Sequence, residues 1–138
     1  MLDGFCLVEN HKAGNEATSG EEAHIAYAYD FLYLPIDFKS KRSRGFAFVN
    51  FTSSRAVWSF YDSIHLTDWG FLEKFKWKKR IEIGCAKIQG KEELVKHFSG
   101  SVFQCGTDEY LPVCFSPARD GSGQPVELTV VGNRRYNH

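Results

Sequence analysis

The chain has 138 residues, a formal net charge of zero and a hydrophobic fraction of 43%, with 12 Phe, 6 Tyr and 3 Trp. This length suits a single domain, and the apolar content excludes wholesale disorder. No apolar run approaches the roughly 18 residues of a membrane span, and the first ten residues lack the pattern of a secretory signal; we therefore expect a soluble, intracellular protein with no membrane partner.

Residues 1–28 are expected to form the end of a helix followed by a flexible acidic loop. In residues 1–10, apolar side chains such as Phe5 and Val8 can share part of one helical face. Residues 11–24 contain glycines and mostly polar side chains, a composition that favours a loop.

Residues 29–100 are predicted to form the structured core, because their hydrophobic pattern alternates between strand and helix periods. Helix 54–64 is preceded by Thr52 and Ser53, and both residue types are favoured at helix N-caps. The predicted elements are, in order, a strand at 29–34, a strand at 45–51, a helix at 54–64, a strand at 81–88 and a helix at 91–98.

Residues 101–138 are predicted to be a C-terminal extension with little regular structure. A short strand is expected at residues 111–115, and several glycines follow it. In the remaining tail, which we expect to be loose, only the apolar run ELTVV at residues 127–131 stands out.

The zero net charge conceals a basic middle segment. Residues 31–98 carry thirteen basic and seven acidic residues, whereas residues 1–30 carry one and six, and residues 99–138 carry three and four. This asymmetry suggests an anionic partner, although a solvated basic face explains it equally well. Five of the basic residues lie within residues 74–80. Trp77 lies among them, and we expect it either to anchor this loop to the core or to stack on a nucleic-acid base.

The sequence shows no recognised catalytic or metal-binding pattern. It has no G-x-S-x-G, no H-E-x-x-H and no phosphate-binding glycine loop, and its five histidines form no spaced cluster. The four cysteines contain no C-x-x-C pair, so we expect buried free thiols rather than a zinc site or a disulfide framework. The prediction is a protein without catalytic activity, metal or cofactor.

The strongest functional signal is the octamer RGFAFVNF at residues 44–51, which matches the RNP-1 pattern of RNA-binding sheets at every position. Period-2 alternation places Phe46, Phe48 and Asn50 on one face of the strand. Bases of single-stranded RNA can stack on the two rings, and Arg44 at the start of the strand can contact a phosphate.

The preceding strand and loop supply further candidates. Tyr33 is expected on the face of the octamer rings, and the loop that joins the two strands can reach phosphates of bound RNA, although its charges could also be merely solvated. The predicted RNA-binding residues are Arg44, Phe46, Phe48, Tyr33, Asn50, Lys39, Lys41, Arg42 and Lys87.

An alternative interpretation places the octamer in the core. The helix at residues 91–98 presents Leu94, Val95 and Phe98 on one side. If this helix covers Phe46 and Phe48, the octamer is an ordinary strand that is buried on both faces.

These patterns together resemble the C-terminal RNA recognition motif of the Mei-two-like proteins, regulators of meiosis in fission yeast and of meiosis and organ initiation in plants. The resemblance covers about residues 29–121, and its first and last stretches are specific to this family. It is carried by DFLYLPIDF at 30–38, the octamer, AKIQG at 86–90, DEYLPV at 108–113, FSP at 115–117 and RDG at 119–121.

The resemblance implies an α+β fold, the ferredoxin-like sandwich of an antiparallel sheet and two helices, with an extra C-terminal helix. It also implies non-catalytic binding of single-stranded RNA, a nuclear or shuttling location, and a post-transcriptional role in meiosis and development.

The chain departs from the family at its start, because the strand that carries RNP-2 is missing. That strand normally lies between the octamer strand and the last strand, so its loss would expose two sheet edges. Three outcomes are open: the two strands pair directly, residues 127–131 or a neighbouring chain fill the slot, or the chain is a truncated product that folds poorly. The functional alternatives are therefore a protein-docking module on a degenerate scaffold, including self-association through exposed edges, and a gene fragment without independent activity.

Overall fold

The structure is a computed structural model that describes residues 1–16, 27–65 and 81–135. Strands β4, β1, β6 and β7 form, in that order, one antiparallel sheet, and β2–β3 and β5–β8 are two small pairs. The predicted α+β class is confirmed. The elements are α1 (Leu2–Glu16), β1 (Tyr29–Tyr33), β2 (Ile36–Asp37), β3 (Arg42–Ser43), β4 (Phe48–Phe51), α2 (Ser54–Ile64), α3 (Lys91–Ser99), β5 (Val102–Phe103), β6 (Val113–Arg119), β7 (Glu127–Val130) and β8 (Asn133–Arg134), with a 3₁₀ turn at Asp108–Tyr110.

Helices α1 and α2 cover one face of the sheet. Tyr29 and Phe115 of the sheet are buried there against Cys6 of α1 and Ala56 of α2. Helix α2 has the predicted bounds. Of the two candidate caps, Ser53 is the one that caps it, because its hydroxyl accepts a hydrogen bond from the Ala56 N–H at 3.1 Å. Val49 and Phe51, the octamer residues on this side of the strand, pack against the same core, as period-2 alternation requires.

The C-terminal segment fastens α1 to the sheet. Arg119 donates two hydrogen bonds to the Asp3 carboxylate, at 2.6 and 3.2 Å, and the Tyr29 hydroxyl donates a third at 2.6 Å. Gly121 has φ of +84°, and a Cβ there would lie 2.2 Å from the Asp3 carbonyl oxygen. The family-specific stretch RDG at 119–121 therefore has a structural task, which is to let α1 approach the end of β6.

Helix α3 lies on the opposite face of the sheet, the face predicted to carry RNA. Leu94 of α3 is buried together with Phe31, Cys114 and Val131, and Phe98 packs against this group. Both faces of β1 and β6 are therefore covered. On this side, the edge strands β4 and β7 retain accessible surface.

The predicted strand at residues 81–88 is wrong, because these residues are described and form no strand. A strand forms only where it can hydrogen-bond to a neighbouring strand. One edge of β1 pairs with β4 and the other with β6, so β1 has no free edge for residues 81–88. The proposed filling of the slot by residues 127–131 is also wrong, since β7 pairs with β6 at the edge of the sheet opposite to β4.

Other predicted boundaries also shift. Residues 11–16 belong to α1 rather than to a loop, and the part of that predicted loop at 17–24 lies outside the described residues. The Asn10 amide accepts from the Tyr27 N–H at 2.7 Å and donates to the Asp120 carbonyl at 3.0 Å, and this tertiary anchoring overrides the weak local propensity. The tail predicted to be loose instead supplies β7 and β8, and the strand expected at 111–115 is β6, which runs on to Arg119.

Candidate nucleic-acid interface

Three of the predicted stacking residues form a continuous aromatic row. The ring of Phe46 contacts that of Phe48 edgewise, with centroids 5.8 Å apart. Phe48 in turn lies parallel to the ring of Tyr33 at 6.2 Å, with an interplanar angle of 10°. Phe46 precedes β4 and is 51% exposed, whereas Phe48 and Tyr33 are half-buried. The row therefore ends in a freely accessible ring.

Helix α3 covers the inner end of this row through Phe98. The centroid of the Phe98 ring lies 5.0 Å from that of Tyr33 and 6.0 Å from those of Phe48 and Phe31. Phe31 is completely buried. The interpretation of a covered core strand thus describes the neighbourhood of Phe31, whereas Phe46 stays open to solvent. Next to the octamer rings, the accessible part of the face is a strip along β4, beside α3.

A second wall of the strip comes from the C-terminal extension. The ring centroids of Phe103 and Tyr33 are 5.7 Å apart, in an edgewise contact. The ring of Tyr110 in the 3₁₀ turn stacks on that of Phe38, with centroids 6.1 Å apart. Phe38 belongs to the β2–β3 hairpin, so the two family-specific stretches, 30–38 and 108–113, meet here. Their contact holds the basic hairpin against the body of the domain.

The basic candidates surround the exposed end of the row. Lys39, Lys41 and Arg42 are exposed in the β2–β3 hairpin, and Arg44 is exposed between this hairpin and Phe46. Burial raises the pKa of Tyr33, and the positive charge of Arg44 acts in the opposite direction, as expected for a guanidinium near this phenol. The hairpin and the start of the octamer therefore offer cations beside an accessible ring, which is the combination that single-stranded nucleic acid requires.

The hairpin turn is held in shape by Asp37. Its carboxylate accepts hydrogen bonds from the Lys39 N–H and the Ser40 hydroxyl, each at 3.1 Å. These bonds lower the pKa of Asp37, the backbone bond being the larger cause. Lys41 completes the turn with φ of +60°. The cations of this loop are thus displayed by an ordered turn.

Two predicted residues lie apart from the aromatic row. Asn50 is further along β4, where its amide donates to the Asp30 carboxylate at 2.8 Å. Lys87 is exposed in the segment before α3 rather than in a strand. Both Asp30 and Asn50 line a cleft of about 530 Å³ beside the first turn of α3.

Asp30 is the residue of this face that the sequence does not indicate. Phe98 is one of the α3 residues that the alternative interpretation places over the octamer rings, but its contact with Tyr33 depends on how the helix packs. Asp30 reaches this face because the register of β1 shifts between Tyr29 and Phe31. A bulge of this kind leaves no clear pattern in a single sequence.

The basic cluster at residues 74–80, including Trp77, lies outside the described residues. Within residues 1–16, 27–65 and 81–135, no group of three or more His, Cys, Asp or Glu side chains could hold a metal ion. The helices of the same ranges include none that is long and apolar enough to cross a membrane. Cys6, Cys105 and Cys114 are buried free thiols, whereas Cys85 is exposed, contrary to the expectation that all four are buried.

The sequence matches the family described as RNA recognition motif 2 over residues 12–99, more than half of the chain. It is 44% identical to the protein terminal ear1 homolog of Oryza sativa subsp. indica over 93% of this chain, and 43% identical to protein terminal ear1 of Zea mays over 96%. Identity to protein MEI2-like 6 of Oryza sativa subsp. japonica is 38% over 96% of this chain. The chain spans 18%, 19% and 40% of the length of these three relatives.

Proposed function

We propose, since the chain belongs to the RNA recognition motif 2 family of Mei-two-like proteins, that it binds single-stranded RNA, without catalysis, along the strip of β4 that α3 leaves open. Membership of this family supports an RNA-binding role in general. In this binding mode, Phe46 stacks on a base, Phe48 and Tyr33 support the Phe46 ring, and the cations at residues 39–44 contact phosphates.

The observation that carries the proposal is the exposure of Phe46. A phenyl ring that is 51% exposed beside the basic hairpin presents an accessible face on which a base can stack. Its neighbour Phe48 limits its freedom, so little ordering entropy is lost when a base stacks on it. Arg44 lies two residues away and is exposed as well, so a phosphate can be neutralised beside the stacked base.

The cellular role that we propose is post-transcriptional regulation in meiosis and development, in the nucleus or in shuttling between nucleus and cytoplasm. The support is the similarity to terminal ear1 and MEI2-like proteins. Because the chain matches only part of these relatives, RNA binding would be one activity among those of the longer proteins. Fluorescence microscopy of the tagged chain tests the location, and a purely cytoplasmic signal would overturn it.

The binding proposal is tested by fluorescence anisotropy with labelled single-stranded RNA at several salt concentrations. Binding through phosphates predicts that the logarithm of the affinity falls with the logarithm of salt concentration, with a slope of about −0.7 for each phosphate contacted. A folded chain that fails to bind RNA at low salt would refute the proposal.

A second candidate function is docking of an extended protein segment on the edge of β4. Among the described residues this strand pairs only with β1, so one row of its backbone groups is available to another strand. The same titrations distinguish the two functions. Peptide binding that is insensitive to salt and unchanged by Phe46→Ala favours docking, whereas salt-dependent RNA binding that this substitution weakens favours RNA.

A further inference from the structure

The cleft beside the first turn of α3 lies at the far end of the β4 strip from Phe46. It has a volume of about 530 Å³ and is open to solvent. Asn50 lines it and shares the face of β4 with Phe48, so a strand of RNA that stacks on the aromatic row and continues along β4 arrives at the cleft. None of the three predicted stacking rings lines it, and most of its lining residues other than Phe51 are polar, so polar side chains supply the hydrogen bonds there.

Three of the residues that line the cleft are carboxylates, Asp30, Glu92 and Glu93, and a carboxylate in its ionised form only accepts hydrogen bonds. The Asn50 amide nitrogen donates to Oδ1 of Asp30, which leaves Oδ2 of Asp30 and the Asn50 carbonyl oxygen without a partner among the described residues. Both residues are half-buried, and the hydrogen bond between them holds them in a defined orientation. An ionised carboxylate has about four acceptor sites, so Asp30 can accept two further hydrogen bonds while it holds Asn50.

The charge of the cleft selects against a phosphate. The carboxylates of Asp30, Glu92 and Glu93 line it together with one ammonium group, that of Lys91. This excess of negative charge repels an anion and attracts N–H donors. The group that fits is therefore the edge of a base and not the RNA backbone.

We infer that this cleft reads a guanine, with the Asp30 carboxylate accepting from the base N1–H and N2–H groups and Asn50 positioning the carboxylate. Guanine is the base whose pairing edge presents two adjacent donors. Cytosine and adenine each present one exocyclic amino group, and uracil presents a single N–H between two carbonyl oxygens, which the carboxylate repels. The inference rests on the proposed RNA-binding function and adds a base preference to it.

The test compares a labelled oligouridine of about ten nucleotides with the same RNA carrying one central guanosine. The wild-type chain should bind the guanosine RNA about 5- to 150-fold more tightly, the range expected for one bidentate base contact. Asp30→Asn should reduce this ratio to about one, because its amide presents a donor to the donors of guanine. Its remaining oxygen can still accept from Asn50, and thermal unfolding verifies the fold.

Glu127→Gln is the matched control, because it removes an exposed carboxylate from β7 at the opposite edge of the sheet; it should keep the wild-type ratio. A measurement without any mutation replaces guanosine by inosine, which lacks the N2 amino group, and should lose part of the preference. Equal affinity of the wild-type chain for the two RNAs, or an undiminished preference in Asp30→Asn, would overturn the inference.

Failure of the base preference is distinguishable from failure of the proposed function. If oligouridine binds in a salt-dependent manner that Phe46→Ala weakens, but guanosine adds nothing, the aromatic strip binds RNA and the cleft does not read it. If the folded chain binds neither RNA, both proposals fall.

Discussion

Removal of the Phe46 ring is the perturbation that most cleanly separates RNA binding from folding. The ring is 51% exposed and contacts Phe48 at its edge, so Phe46→Ala removes the accessible stacking surface and little of the core. One base–aromatic stack is worth about 1–3 kcal/mol, which corresponds to a loss of affinity of about 5- to 150-fold. Phe48 is less suitable, because its ring also packs on Tyr33 and Phe98.

The assay is anisotropy titration of single-stranded RNA, with urea unfolding of each variant as the measure of stability. Trp58→Ala is the matched control: Trp58 is an aromatic residue that is 64% exposed on α2, the helix that packs against the other face of the sheet. It should bind RNA as the wild type does. Affinity of Phe46→Ala within about twofold of wild type would refute the stacking assignment, as would an equal loss in Trp58→Ala.

Three further predictions concern the framework that positions the strip. Both Gly121 and Gly123 have positive φ, but only a Cβ at Gly121 meets the backbone of α1. The free energy of unfolding of Gly121→Ala should therefore be lower than that of Gly123→Ala by about 1–3 kcal/mol. Equal midpoints of urea unfolding would contradict this packing. The hydrogen bonds from Arg119, and secondarily from Tyr29, hold the pKa of Asp3 below its ordinary value of 3.8. The stability that Asp3 contributes is therefore fully present above pH 3.8 and is lost as the pH falls through the lower pKa of the folded state. Asp3→Asn should flatten the acid limb of a plot of stability against pH. An unchanged acid limb would exclude this role of Asp3. Cys85 is exposed, whereas burial raises the pKa of the Cys6 thiol to about 11; iodoacetamide should modify Cys85 first, and peptide mass mapping that finds Cys6 labelled as fast would count against the packing of α1.

The local elements were largely predictable from the sequence. Helix α2 has the predicted bounds because a capping serine and apolar residues at helical spacing act together. Helix α3 follows from the spacing of Leu94, Val95 and Phe98. Strand β1 and the face of Phe48 follow from period-2 alternation. Each of these signals is contained in a short stretch of chain.

The arrangement of the sheet was not predictable in the same way. A strand is defined by its neighbour, and the pattern at residues 81–88 is apolar enough for a strand that has no ladder to join. Residues 113–119 take the place beside β1, and the register of that pairing shifts between Tyr29 and Phe31. Such choices depend on competition between distant segments, which a local pattern does not record.

The candidate site likewise has one part that local patterns predict and one part that depends on tertiary packing. Period-2 alternation within the octamer predicts the aromatic row, and the local run of basic residues predicts the cations beside it. The position of Phe98 over Tyr33, with centroids 5.0 Å apart, is a tertiary result that reduces a whole sheet face to a strip. The pairing of Asp30 with Asn50 likewise depends on the shifted register of β1.

NMR titration of the isotope-labelled chain with single-stranded RNA shows whether the RNA lies along β4 beside α3. If RNA lies there, the largest shifts occur at Arg44, Phe46 and Asn50, with little change at Val57 and Trp58 on α2. Shifts that concentrate on α2 while residues 44–50 stay unchanged would contradict it.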